Sequence, residues 1–302
     1  MNPVSPMTRR GFLGAAAGAS LSTLLPVSAQ AQKSGKRFSF IGFSKPFQSL
    51  SFQDTADVVA EIGWDGIECP VRPKGQIEPE RAADELPKLV GALRKNGLDL
   101  TLMTTRISRA DEPHTETLLK TASGLGIKKY RMNYWKYDRK RPVMDQLNEY
   151  KAYLKDLADM NRHYGIQGCY QNHSGKGYIG AAVWDIHYMI KDLDPKAMGV
   201  CFDIGHATVE GGYAWETHAQ LMEPRYGVVY LKDFKWEKTD KGWKSVWCPV
   251  GEGMVNKVYF DRLRKSSYQG AISQHHEYPV GEGKEMIRQM QKDLKALKGW
   301  LA

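Results

Sequence analysis

The chain has 302 residues, with 43 Lys and Arg against 34 Asp and Glu, for a formal net charge of +9. That length supports one large hydrophobic core or two small ones. Its basic residues are scattered, densest at Lys136–Arg141 and Arg262–Lys265. Such runs read as solvated faces, which argues against a nucleic-acid partner.

The first elements are an address and not a fold. Arg9 and Arg10 precede an uncharged run from Gly11 to Val27, rich in Ala, Gly and Leu, and Ala29-Gln30-Ala31 follows. Paired arginines, an apolar stretch and a small-x-small site predict a cleaved twin-arginine (Tat) signal at residues 1–31, read by the Tat export machinery. Ser20, Ser22, Thr23 and Pro26 interrupt the run, which makes it a poor membrane anchor. Export to the periplasm or beyond is the expected destination, with no stable span in the mature chain. Removing the 31 residues leaves 271 for one domain, residues 32–302, and takes the charge to +7.

Strand-like and helix-like segments then alternate. Phe38–Phe43 is a strand, and Ser51 caps a helix that carries Phe52, Val58, Val59 and Ile62 on one face. Ile67–Cys69 is a second strand. Pro87–Asn96 reads as a helix with Pro87 in its first turn and Gly97 at its end. Strand Leu98–Thr105, helix Pro113–Leu125 and strand Ile127–Tyr134 follow. Leu147, Tyr150, Leu154, Leu157 and Met160 recur at helical spacing until Gly165. The remaining units are strand Ile166–Gln171 with helix Ala181–Leu193, Gly199–Asp203 with Tyr213–Met222, Val228–Lys232 with Lys257–Lys265, and Ala271–Glu277 with Lys284–Trp300. Between Phe234 and Pro249, Asp240-Lys241-Gly242 predicts an inserted β-hairpin. Eight βα units in this length predict a (β/α)8 TIM barrel with a hairpin after strand seven. None of Cys69, Cys169, Cys201 and Cys248 forms a CxxC pair, so they read as small core residues.

In such a barrel the chemistry sits at the carboxyl ends of the strands. The later strands end in Gln171-Asn172-His173-Ser174-Gly175, Asp203-Ile204-Gly205-His206, Tyr230-Leu231-Lys232-Asp233 and Ser273-Gln274-His275-His276-Glu277. Glu68, Arg106, Asn133 and Trp135 fall at earlier strand ends. Period-two alternation puts Gln171 with His173, Tyr230 with Lys232, and Ser273 with His275 and Glu277. It turns His276 toward the helices. Converging His, Asp and Glu side chains suit a divalent cation, with Asp203, His173, His275 and Glu277 as candidate ligands. Glu68, Asn133, Trp135, Gln171 and Lys232 are candidate substrate contacts. The hairpin tryptophans Trp236, Trp243 and Trp247 cannot all be buried by a two-stranded ribbon and suit a sugar-stacking lid, with Trp236 as a candidate substrate contact. His114, His163, His187 and His218 fall on helices and read as surface or packing residues.

The Asp-Ile-Gly-His and Tyr-Leu-Lys-Asp strand ends, with Glu277 on the last strand, resemble the xylose isomerase-like barrel superfamily. The resemblance covers the whole mature chain. It implies a divalent metal (Mn, Mg, Co or Zn) held by a glutamate, an aspartate, a histidine and a glutamate on the last four strands. Asp203 and Glu277 match that pattern, whereas Gln171 and Tyr230 stand where the first glutamate and the histidine are expected.

The implied chemistry is removal of a proton next to a sugar carbonyl, with Glu277, His173 and His206 as catalytic candidates. A metal-dependent isomerase or epimerase acting on a non-phosphorylated carbohydrate is the leading reading. A glutamine takes no proton at neutral pH, which keeps a β-eliminating lyase or dehydratase on a 3-keto-glycoside open beside it. A non-catalytic carbohydrate-binding barrel is the third.

Overall fold

A computed structural model describes residues 37–302; the signal expected at residues 1–31 lies outside the described residues. Seven strands come first: β1 (Phe38–Phe43), β2 (Gly66–Pro70), β3 (Asp99–Thr104), β4 (Lys129–Arg131), β5 (Gln167–Gln171), β6 (Met198–Asp203) and β7 (Tyr226–Leu231). Strands β8 (Asp233–Thr239) and β9 (Gly242–Cys248) follow, and then β10 (Gly270–Gln274). The parallel strands close in the order β1-β10-β7-β6-β5-β4-β3-β2, while β8 and β9 form a separate two-stranded sheet. This is the (β/α)8 barrel with a hairpin after its seventh strand.

The strands are buried on both faces, as a parallel sheet wrapped in helices requires. Ile41, Leu102, Cys169, Cys201, Val228, Tyr230 and Ala271 fill the barrel interior. A second, larger core lies between the strands and the helices. The helices are α1 (Phe52–Ile62), α2 (Ala82–Lys95), α3 (Thr115–Gly124), α4 (Val143–Tyr164), α5 (Val183–Ile190), α6 (Ile204–Gly211), α7 (Trp215–Met222), α8 (Val258–Lys265) and α9 (Gly283–Leu301). Ser51 caps α1 by accepting from the Asp54 amide at 3.1 Å. Gly165 ends α4 with φ +61°, a left-handed turn that glycine enters without strain. All four cysteines are free and buried. No helix among the described residues is long and apolar enough to cross a membrane.

Two elements differ from the sequence expectation. Helix α2 begins five residues before Pro87, fed by a 3-10 turn at Pro79–Arg81. Pro87 lies so close to the start that only one backbone bond is lost. Helix α6 was not expected. Its sequence holds Gly205, Gly211 and the β-branched Ile204, Thr208 and Val209, all poor helix formers. The Asp203 cap and the burial of Ile204, Gly205, His206 and Ala207 hold it instead.

Candidate active site

Two polar layers stack at the carboxyl end of the barrel. The deeper one is built on Glu68 of β2, which is fully buried. Tyr230 donates to its Oε1 at 2.7 Å, and Thr104 donates to the same oxygen. Ser273 at 2.7 Å and His275 Nε2 at 2.9 Å donate to Oε2. Burial by itself raises this carboxyl, but the His275 imidazole and the converging donors outweigh it and hold the group at about 2. Every Glu68 oxygen is engaged: the carboxylate, a candidate substrate contact from the sequence, ties β2 to β3, β7 and β10 from below.

The upper layer is centred on Lys232, whose side chain is 1% exposed. Its Nζ lies 3.1 Å from Glu277 Oε1, 3.3 Å from Asp203 Oδ2 and 3.1 Å from His206 Nε2. Burial opposes its charge, yet Asp203 and Glu277 raise its pKa above the ordinary lysine value. Burial pulls Glu277 upward in turn, and the Lys232 charge overrides that and leaves it at about 2. Glu277 is the outermost member of the set, with 29% of its side chain exposed.

Asp203 serves two structures at once. Its Oδ1 accepts from the His206 amide at 3.0 Å and so caps α6. Its Oδ2 accepts from Gln171 Nε2 at 2.8 Å and faces Lys232. Asn172 locks the aspartate backbone from both sides, donating to its carbonyl at 2.9 Å and accepting from its amide at 2.8 Å.

The histidine tautomers follow from their neighbours. Lys232 donates to His206 Nε2, so the ring proton sits on Nδ1, 2.7 Å from Ser174 Oγ. Burial and then the Lys232 charge push His206 well below 6.5, and the ring is neutral. His173 Nδ1 donates to the Ser174 carbonyl at 2.8 Å, which leaves a lone pair on Nε2. Burial, followed by Lys232, lowers its pKa as well. Its ring packs against His206 at 4.1 Å and against Tyr134 at 4.8 Å.

The hairpin contributes Trp247, edge-on to His206 at 5.0 Å and with Lys232 Nζ 4.9 Å from its ring. Cross-strand pairs Phe234–Trp247, Trp236–Ser245 and Lys238–Trp243 place the three tryptophans on one face of the ribbon. Trp236, assigned to substrate, packs on Phe234 and is 39% exposed; Trp247 is the one that reaches the site. Trp135, another candidate substrate contact, lies among aromatic side chains. It stacks on Tyr150 of α4 at 4.5 Å and on Tyr170 at 5.8 Å, in the layer between barrel and helices. Asn133 is half-buried, with its amide on the Ile107 carbonyl. His276 faces the helices as expected, 3.4 Å from Asp293 of α9.

Sequence reasoning missed Tyr134, which donates to Gln171 Oε1, along with Ser174, and it named Trp247 only as one of three hairpin tryptophans. It also missed Arg131, nearly buried over the Tyr134 ring at 4.6 Å with Nη1 unpaired. Only the alternation along β4, with Tyr130 bonded outward to Asn161 of α4, could have turned Arg131 inward.

The proposed metal ligands do not assemble. His275 is spent on Glu68, Lys232 fills the space between Asp203, Glu277 and His206 Nε2, and of the proposed histidine ligands His173 alone keeps a free lone pair, on Nε2. A carboxylate only accepts, so Gln171 must turn its NH2 toward Asp203, and Tyr230 donates its hydrogen to Glu68. Among the described residues no group of three or more His, Cys, Asp and Glu side chains is placed to hold a metal ion. The donor set does not fit a divalent cation.

Comparison with known proteins places the fold. The sequence profile of the xylose isomerase-like TIM barrel family matches residues 56–300, and the chain belongs to that family. An uncharacterised protein of Methanocaldococcus jannaschii is 26% identical over 133 residues, 43% of this chain and 44% of the relative. The chain thus matches less than half the length of that relative. Among solved structures, the 3-keto-D-glucoside 4-epimerase of E. coli superposes with a TM-score of 0.66 at 14% identity, over 87% of this chain and 99% of the other. A protein described as the probable 3-DHS dehydratase of Bacillus anthracis petrobactin synthesis gives 0.62 at 13% identity, over 86% and 98%. A family member from Mycobacterium smegmatis, in complex with magnesium, gives 0.62 at 15% identity, over 87% and 98%.

Proposed function

We propose that this chain is a sugar isomerase or epimerase-type enzyme that removes a proton beside the carbonyl of a non-phosphorylated carbohydrate. The observation that carries this reading is the Lys232 ammonium held between Asp203 and Glu277 at the barrel mouth. A substrate oxygen arriving at the mouth competes for Lys232 with Glu277, the most exposed of its partners. Displacing Glu277 places a cation on the carbonyl, where negative charge develops. It also frees the carboxylate from the charge that holds its pKa at about 2, and so makes it a stronger base.

His173 rises after β5, three strands round the barrel from β10. Its free Nε2 lone pair suits the second proton position, on another flank of the substrate. His206 orients Lys232 and is itself fixed by Ser174. Trp247 walls the pocket with an aromatic face that suits a sugar ring. In solvent deuterium, a panel of keto-sugars including 3-keto-glucose should exchange their carbon-bound hydrogen. Glu277→Gln should slow that exchange by about 100-fold or more. Exchange at the wild-type rate in the variant would dismiss Glu277 as the base.

Gln171, in place of a second carboxylate, favours one other outcome from the same first step: elimination from a 3-keto-glycoside. Growth of enone absorbance with release of the aglycone would identify it. Residues 1–31 support export by the twin-arginine route, and Arg9→Lys with Arg10→Lys should retain the full-length chain in the cytoplasm on cell fractionation. Unchanged processing would refute that route.

A further inference from the structure

Asp203 and Glu277, the two carboxylates that match the implied metal set, are engaged by one ammonium. Lys232 Nζ lies within 3.3 Å of Asp203 and 3.1 Å of Glu277, with His206 Nε2 at 3.1 Å completing its three donor directions. The other two positions of the set point away or present hydrogens. Gln171 offers an N–H to Asp203 at 2.8 Å, and the Tyr230 hydroxyl is turned down to Glu68 at 2.7 Å. A divalent ion placed here would meet a buried ammonium and an amide hydrogen beside two carboxylates and a His206 Nε2 lone pair that the ammonium already engages, and Asp203 already accepts two hydrogen bonds besides that ion pair.

We propose that Lys232 is the resident cation of this barrel and that the chemistry runs without a metal ion. The inference rests on the proton-abstraction reading above. In that step the C–H bond beside the carbonyl breaks, and its proton passes to Glu277. The electron pair becomes the carbon–carbon double bond of the enediolate, while the carbonyl pair moves onto oxygen. Lys232 donates a hydrogen bond to that oxygen. Glu277 then delivers its proton to the former carbonyl carbon while His173 Nε2 carries the neighbouring hydroxyl's proton to the former carbonyl oxygen, so the carbonyl has moved by one carbon and both side chains are regenerated. No oxidant, reductant or co-reactant enters. An ammonium is a compact, strongly hydrated charge; buried and held by Asp203, Glu277 and His206, it needs little reorganisation when the oxygen acquires its charge.

Two measurements test this. The first is uptake of Mn2+ by the EDTA-treated protein, followed by the electron paramagnetic resonance of the free ion. The wild type is expected to leave the ion in solution. Gln171→Glu, Tyr230→His and Lys232→Ala combined rebuild a four-donor set with Asp203 and Glu277, and are expected to take up one ion per chain. Stoichiometric uptake by the wild type overturns the proposal, whatever the triple variant does. The second is hydrogen exchange of the keto-sugar panel in EDTA. The rate is expected to equal that with added Mn2+, and Lys232→Met to lower it by about 100-fold or more. Loss of exchange in EDTA overturns the proposal. Exchange that fails with every sugar, with and without metal, defeats the proposed function, and the Mn2+ measurement still decides whether a metal belongs here.

Discussion

Lys232 shows how one residue acquires its chemistry from neighbours distant in sequence. Its partners Asp203, His206 and Glu277 come from the ends of two other strands; Asp203 and Glu277 raise the Lys232 pKa, and the Lys232 charge in turn lowers those of Glu277 and His206. Lys232 is held above its ordinary pKa of 10.5 and Glu277 at about 2, while His206 and His173 lie below 6.5. The working state therefore contains a charged lysine, a charged glutamate and two neutral imidazoles. With those groups, kcat/KM should be flat from about pH 7 to 9 and fall on the acid side as His173 gains a proton. That acid limb should have its midpoint below 6.5. A midpoint above 7 in a pH–rate profile would mean that another group carries the proton. The types of these residues were legible in the sequence, and so was their place at strand ends. Their pairing was not, because period-two alternation sorts faces and says nothing about which ammonium reaches which carboxylate.

At the scale of the element, the Tyr-Leu-Lys-Asp strand end divides its work among its residues. Tyr230 bonds downward to Glu68, Lys232 upward to the mouth, and Asp233 sideways into the loop after the hairpin. The Asp233 carboxylate accepts from the amides of Phe234 and Val255 at 2.9 Å each through Oδ1, and from Gly251 and Gly253 at 3.0 Å each through Oδ2. It is 1% exposed, and a Cβ on Gly253 would lie 2.2 Å from it. This knot fixes both ends of the ribbon that carries Trp247. Asp233→Ala should cost roughly 2–4 kcal/mol, since it leaves up to four amides without their acceptor. Urea denaturation that gives less than about 1 kcal/mol would show that water replaces the carboxylate freely. The hairpin itself was readable from Asp-Lys-Gly between aromatic runs. The choice of tryptophan was not: all three share one face, and only the position of the ribbon over the barrel singles out Trp247.

For the whole molecule, Glu68 is the internal tie. It joins β2 to β3 through Thr104, to β7 through Tyr230, and to β10 through Ser273, with His275 just beyond that strand. Its carboxyl is depressed from an ordinary 4.5 to about 2. A group so depressed contributes stability that is complete above about 4.5 and drains as pH falls toward 2. Glu277 moves in the same direction. Urea midpoints should therefore decline across that window, and Glu68→Gln should flatten the decline while lowering stability at pH 7. An unchanged slope in the variant would assign the acid sensitivity to other carboxylates.

The sequence by itself determined the barrel, the order of its units, the inserted hairpin and the end at which the polar residues gather. Those features are local, arising from the periodicity of apolar residues and from caps and turns within a few positions of one another. Closure of the sheet decided the rest: Glu68 became a buried tie, His275 its partner, Trp135 a packing residue, and Lys232 the cation shared by Asp203 and Glu277. Such assignments depend on which side chains the cylinder brings within about 3 Å, a distance set by register and strand tilt around all eight strands and carried by no single segment of the chain.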